Sequence, residues 1–146
     1  IDSDADMDKQ GAGNIDRAKN AGRVLLVDDE EIVLKSVKKV LKILGYHVVT
    51  GRNGSEAVEV FSRTPEEIDL VISDMTMPGM TGIELAGRLF EIRPDLPVIL
   101  CTGLSDSVNE RHARDAGIRE LLEKPADIDE LAKAISRALE RESPDT

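Results

Sequence analysis

With 146 residues, 40% of them apolar and 33% charged, the chain is the size of one domain and has the composition of a folded protein rather than a disordered one. A net charge of −10 argues against nucleic acid or an anionic membrane as a direct partner, and a lone cysteine, Cys101, excludes an intrachain disulfide or a thiolate metal cluster. No apolar run nears the length of a membrane span and no secretory signal pattern opens the chain, so a cytoplasmic protein, or the cytoplasmic part of a larger one, is expected.

Residues 1–22 are small and polar, with Asp2, Asp4, Asp6 and Asp8 alternating and glycines at 11, 13 and 22. They read as a linker or an appended remnant. Ile1 stands where an initiator Met would, which suggests a piece of a longer protein. From Arg23 the pattern changes. Val24 to Val27 is an apolar strand that ends at Asp28-Asp29. A helix follows, with Val33, Leu34, Val37, Val40, Leu41 and Leu44 on one stripe and Gly45 placed to end it. Tyr46 to Thr50 is a second strand, and Asn53 with Glu56 predicts a capping box for a helix bearing Ala57, Val58, Val60 and Phe61. Asp69 to Ser73 is a third, wholly apolar-cored strand reaching Asp74, and the Met77-Pro78-Gly79 turn stops it.

Thr81 with Glu84 caps a third helix carrying Leu85, Ala86, Leu89 and Phe90, and Pro94 and Pro97 bracket its exit. Val98 to Cys101 is the fourth strand. Ser105 to Ala116 is helical in composition with a thin stripe, Gly117 ends it, and Arg119 to Leu122 is a short fifth strand. Asp127 with Glu130 caps the last helix, whose stripe is Ile128, Leu131, Ile135, Ala138 and Leu139; residues 142–146 are a polar tail. Five apolar strands alternating with five helices over residues 23–141 predict an α/β fold, a doubly wound parallel sheet with crossovers on both faces. The flavodoxin-like (βα)5 order 2-1-3-4-5 leads.

In such a sheet, ligands bind beyond the carboxyl ends of the strands, where the strand order reverses. Those ends carry Asp28 and Asp29 after strand one, Asp74 after strand three, Thr102 after strand four and Lys124-Pro125 after strand five. A phosphate or flavin cradle would place Gly, Ser, Thr or Lys in the first loop, and two acids there repel an anion. Two unit charges about 4 Å apart repel by roughly 4 kcal/mol at an effective dielectric near 20. A hard divalent cation relieves that cost, and a small set of oxygen ligands suits Mg2+ or Mn2+. A cation beside a carboxylate makes room for a phosphoryl group, with Lys124 as counter-charge, Thr102 as hydroxyl donor and a carboxylate as nucleophile. Taken singly, each residue has a plain structural role: Asp28 and Asp29 as helix caps, Asp74 as a turn residue, Thr102 as a strand end, Lys124 as a surface lysine. Those roles fail jointly, because all four strand ends would have to coincide. His47 and His112 read as solvated, Cys101 as a small core residue, and Met75, Met77 and Met80 as packing.

The stretch from about Arg23 to Arg141 resembles the receiver domain of two-component response regulators, on Asp28-Asp29, Ser73-Asp74-Met75-Thr76-Met77-Pro78-Gly79, Thr102-Gly103 and Lys124-Pro125. The resemblance implies that Asp74 accepts a phosphoryl group from the phosphohistidine of a histidine kinase or phosphotransfer domain. It implies Mg2+ held by Asp29 directly, by Asp28 largely through water, by Asp74 and by the Thr76 backbone carbonyl. It gives Lys124 to Asp74 and then to a phosphoryl oxygen, and Thr102 the relay to a face built from helix four, strand five and helix five, where a downstream protein docks. It also implies a cis Lys124-Pro125 bond.

Receivers of this kind usually carry Phe or Tyr three residues before the lysine, where this chain has Leu121; a leucine cannot trade a buried ring for an exposed one. Thr76 and Leu104 occupy the positions that tune phosphoryl lifetime in the family, and Leu104 offers no group to orient an attacking water. An aspartyl phosphate lasting longer than seconds is expected. The runs Val98 to Gly103 and Gly117 to Pro125 look like receivers fused to the carboxyl end of bacterial hybrid sensor histidine kinases, with a stand-alone regulator as the alternative. The competing readings are a haloacid-dehalogenase-like phosphatase with an aspartyl-phosphate intermediate, and a receiver fold used only for binding. The phosphatase places its nucleophile after strand one in an Asp-x-Asp pattern that Asp28-Asp29-Glu30 does not match. Binding alone leaves the full set of acids, hydroxyl and lysine without purpose.

Overall fold

The computed structural model describes residues 22–103 and 110–140. In chain order it contains β1 (Arg23–Val27), α1 (Glu31–Ile43), β2 (His47–Gly51), α2 (Gly54–Arg63), a 3-10 turn (Pro65–Glu67), β3 (Ile68–Asp74), α3 (Gly82–Ile92), β4 (Val98–Thr102), α4 (Glu110–Asp115), β5 (Glu120–Glu123) and α5 (Ile128–Glu140). The strands form one parallel sheet in the order β2-β1-β3-β4-β5, the expected flavodoxin-like winding. The readings of residues 1–21 as a linker, of 105–109 as helix, of Leu104 and of the 142–146 tail lie outside the described residues.

Alternation along the central strands divides the core in two, because successive strand side chains point to opposite faces. Leu25, Val27, Val71, Val98 and Leu100 meet Ala57 and Phe61 of α2 and Leu85, Ala86 and Leu89 of α3. Val24, Leu26, Leu70, Ile72 and Ile99 meet Leu34 and Leu41 of α1 and Leu131, Ala134, Ile135 and Ala138 of α5. Both faces are covered, which is why these strands read as continuous apolar runs.

Helix ends follow the local chemistry. Gly45, at φ 101°, closes α1: its N–H donates to the Lys42 carbonyl and the Tyr46 N–H to that of Leu41. That is the double reach-back of a left-handed helix stop. Thr81 and Glu84, and Asp127 and Glu130, make reciprocal capping boxes. The box expected at α2 is altered: Asn53 accepts from the Glu56 N–H at 2.8 Å, but the Glu56 carboxylate accepts from Arg52 rather than from the cap residue. The β3 strand is one residue longer at each end than the expected 69–73, since Ile68 and Asp74 both join the ladder. Asp74 therefore sits on the strand itself, paired in register with Cys101.

Candidate functional site

Four chain segments deliver the acidic rim. Asp28 follows β1, and its backbone N–H donates to the Gly51 carbonyl. Its carboxylate accepts from the Glu30 N–H at 2.9 Å. Glu30, not either aspartate, is the N-cap of α1 and makes no side-chain cap. The capping role that competes with function for Asp28 and Asp29 is therefore not the one they fill; Asp28 orders the turn before the helix and keeps its second oxygen for the rim. Asp28 and Asp74 are buried, 3% and 7% exposed, and Asp29 is exposed.

One carboxylate oxygen from each of Asp28, Asp29 and Asp74 lies within 4.8 Å of the other two. Lys124 answers part of this charge: its ammonium stands 3.1 Å from Asp74 Oδ1 and 3.4 Å from Asp28 Oδ2. Its backbone N–H donates to the Thr102 carbonyl at 2.8 Å, so β4 fixes the start of the lysine, and the Lys124-Pro125 bond is cis as expected. Thr102, 8% exposed, ends β4 one residue beyond the partner of Asp74. Asp28, Asp29, Asp74 and Lys124 thus converge, Thr102 stands at the end of the neighbouring strand, and Thr76 lies two positions past Asp74 on the exposed loop.

Burial, then the Asp28 charge, raise the Asp74 pKa against the hydrogen bond from Lys124, which pulls it down. Burial pulls the Lys124 ammonium down, but the bond to Asp74 and the charges of Asp28 and Asp74 outweigh it and leave its pKa raised. Three carboxylates against one ammonium leave a local excess of negative charge in a half-dry pocket. An all-oxygen donor set with that excess fits a hard divalent ion such as Mg2+.

The loop after Asp74 is pinned rather than loose. Met75 donates its N–H to the Cys101 carbonyl, Met77 is buried, and Met80 packs over Gly54. Gly79 turns at φ 84°, a conformation that L side chains rarely adopt. Two further residues at the site were given no role of their own by the hydrophobic pattern or the motifs. Ser73 is fully buried, and its hydroxyl donates to the Asp74 carbonyl at 2.9 Å. Gly82 opens α3 against the same carbonyl. A glycine directly behind a good capping residue, where nearly any other residue favours helix more, is the clue that could have flagged Gly82.

Cys101 is half-buried at the second core, and burial pushes its thiol up to about 12, so it stays protonated. His47 and His112 are exposed. Leu121 is half-buried and lines a cavity of about 120 Å³ with Ala113, Arg114 and Ile118.

A family model described as the response regulator receiver domain matches residues 24–136. The transcriptional regulatory protein GlrR of Escherichia coli (strain K12) is 39% identical over 123 residues, which are 84% of this chain and 27% of GlrR. The chain spans 53% of a second relative, the response regulator MprA of Mycobacterium leprae (strain TN), at 37% identity over 84% of its own length. Among solved structures, a response regulator receiver domain protein from Clostridium thermocellum superposes with a TM-score of 0.77 at 34% identity, covering 81% of this chain and 94% of that one.

Proposed function

The chain belongs to the response regulator receiver domain family of two-component signalling, and on that premise we propose that Asp74 is its phosphoacceptor. Receivers of this family take phosphoryl groups from histidine kinases; the donor proposed here is the phosphohistidine of such a kinase or of a phosphotransfer domain. An Asp74 carboxylate oxygen attacks phosphorus, the P–N bond breaks, and the imidazole leaves with a proton, so an acyl phosphate forms. The observation that carries this reading is the Lys124 ammonium bridging Asp74 and Asp28 beside the third carboxylate of Asp29.

Asp28, Asp29 and Asp74 would hold Mg2+, or Mn2+ in its place, together with the Thr76 carbonyl. Bound there, the ion supplies charge neutralisation for phosphoryl oxygens. Lys124 donates to Asp74 Oδ1 at 3.1 Å before transfer, and afterwards its ammonium pairs with a phosphoryl oxygen. Thr102 turns its hydroxyl to the phosphoryl group and passes the change to the face of α4, β5 and α5, where a downstream protein docks. Leu121 offers no ring to exchange, so that relay runs through Thr102 without an aromatic partner. The chain spans 27% and 53% of two of its relatives, and we read it as the carboxyl-terminal receiver of a hybrid sensor histidine kinase, on the Val98–Gly103 and Gly117–Pro125 runs. No helix among the described residues is long and apolar enough to cross a membrane.

Acetyl phosphate with Mg2+ tests the proposal. It should leave one acid-stable, base-labile adduct on Asp74, absent from Asp74→Asn and outlasting seconds after the donor is removed. An adduct on Asp28, or turnover of a free phosphomonoester, would reject the phosphoacceptor reading; decay within seconds would reject the lifetime inferred from Thr76 and Leu104.

A further inference from the structure

Gly82 is the first residue of α3, directly behind the capping Thr81. Its N–H donates to the Met75 carbonyl at 2.8 Å, while the Met75 N–H donates to the Cys101 carbonyl at 2.9 Å. The residue after Asp74 is therefore held from both sides, by β4 through its N–H and by α3 through its carbonyl. A Cβ on Gly82 would stand 2.7 Å from the Asp74 carbonyl oxygen, 2.7 Å from Leu100 Cδ2 and 3.2 Å from Met75 Cα. The Asp74 oxygen cannot swing aside freely, because it also accepts the Ser73 hydroxyl, and Leu100 is 0% exposed. By contrast, a Cβ on Gly79 or Gly87 would meet nothing within 4 Å. At Gly22, Gly54 and Gly117 a Cβ would also be crowded under 3.0 Å, but by the side chains of Asp69, Met80 and Phe90; at Gly82 one crowding atom is a backbone oxygen, that of Asp74.

Magnitudes decide what this approach is for. A carbon beside a carbonyl oxygen settles at about 3.3 Å or more. A methyl at position 82 would thus displace the Asp74–Met75 peptide, α3, or both by about 0.6 Å. Metal–ligand distances tolerate only about 0.2 Å, and Mg2+ is the more demanding of the common hard cations. The displaced peptide joins the Asp74 carboxylate to the residue before Thr76. We propose that Gly82 is a positioning residue for the acidic rim: its bare Cα lets α3 seat on the Asp74–Met75 peptide, and that seat sets where the Asp74 carboxylate and the Thr76 carbonyl present oxygen to a divalent cation. This rests on the Mg2+ reading above.

The test is calorimetric titration of the 146-residue chain with Mg2+, paired with thermal unfolding in EDTA and in Mg2+. The unaltered chain should bind Mg2+ and gain Tm; if it does neither, the Mg2+ reading itself is overturned and this inference falls with it. Gly82→Ala should raise the Kd at least tenfold and erase most of the Mg2+-dependent gain in Tm. Wild-type affinity in a folded Gly82→Ala overturns the inference alone. In Gly82→Ala/Leu100→Ala the trimmed side chain gives the new methyl room, so at least threefold of the affinity should return although Tm falls further. A merely structural role predicts that both fall together. Should Gly82→Ala not fold, amide exchange in the unaltered chain decides. Mg2+ should slow exchange at Gly82 several-fold more than at Gly45, whose N–H bonds Lys42 at the far end of α1. Equal slowing at the two glycines overturns the inference.

Discussion

Leu70, Val71 and Ile72 of β3 are 0%, 0% and 1% exposed among aliphatic neighbours, and Asp74, two residues further along the same strand, is 7% exposed among two other carboxylates and an ammonium. Within one strand the chain passes from a region where burial stabilises to one where it opposes the charges it encloses. Each buried aliphatic side chain contributes roughly 1.5–3 kcal/mol by leaving water. The rim does the reverse, since carboxylates held within 4.8 Å of one another repel and their hydration is partly lost. Stability and chemistry are thereby separated along the sheet axis. The core can bear the strain of the rim because α1, α2, α3 and α5 cover both faces beneath it.

Substitutions should break this contrast in opposite directions, all read as unfolding free energy in urea with EDTA present. Phe61→Ala removes the largest fully buried side chain and should cost about 3–5 kcal/mol. Its folded fraction should still take up phosphate at Asp74. Lys124→Met strips the rim of its cation. Breaking a buried pair costs several kcal/mol, but 27% of this side chain is exposed, so about 2 kcal/mol is expected at neutral pH. Asp74→Asn should act the other way and stabilise the metal-free protein by about 1 kcal/mol, the size of one water-screened charge pair at 4 Å.

The pH dependence sharpens that third case. With the folded Asp74 pKa raised, chiefly by burial, the native state holds a proton that the unfolded chain has already released. Its stabilising contribution is complete below the ordinary carboxylate range and is lost as pH rises through the raised value. Asp74→Asn should flatten this descent, and an unchanged pH profile would remove the rim from the account of stability. The smallest effect is expected from Leu121→Phe, which extends toward the cavity of about 120 Å³ beside α4. Its stability should stay within about 0.5 kcal/mol of wild type. A new ring whose NMR signals shift with beryllofluoride would show that an aromatic there couples to the rim.

Much of this molecule is written in local pattern. The runs 24–27, 70–72 and 98–101 needed only their apolar continuity to be read as strands covered on both faces, and Thr81-Glu84 and Asp127-Glu130 declare their helix starts by residue type and spacing alone. Parallel pairing follows from the alternation of strand and helix. The acids, hydroxyl and lysine of the rim were legible because each stands where an apolar run stops. Glu56 bonding to Arg52 instead of Asn53 was not legible, since one residue of loop geometry decides it.

Sequence by itself determined the number, order and type of the elements and which four strand ends carry the rim residues, because hydrophobic period and capping chemistry act over a few residues. Only the tertiary structure decided that Asp28 turns one oxygen to the Glu30 backbone and the other to Lys124, that the Ser73 hydroxyl ties down the Asp74 carbonyl, and that a Cβ at Gly82 would crowd that carbonyl. Those outcomes depend on segments tens of residues apart meeting to within tenths of an ångström. Close packing sets such distances, and no local pattern encodes them.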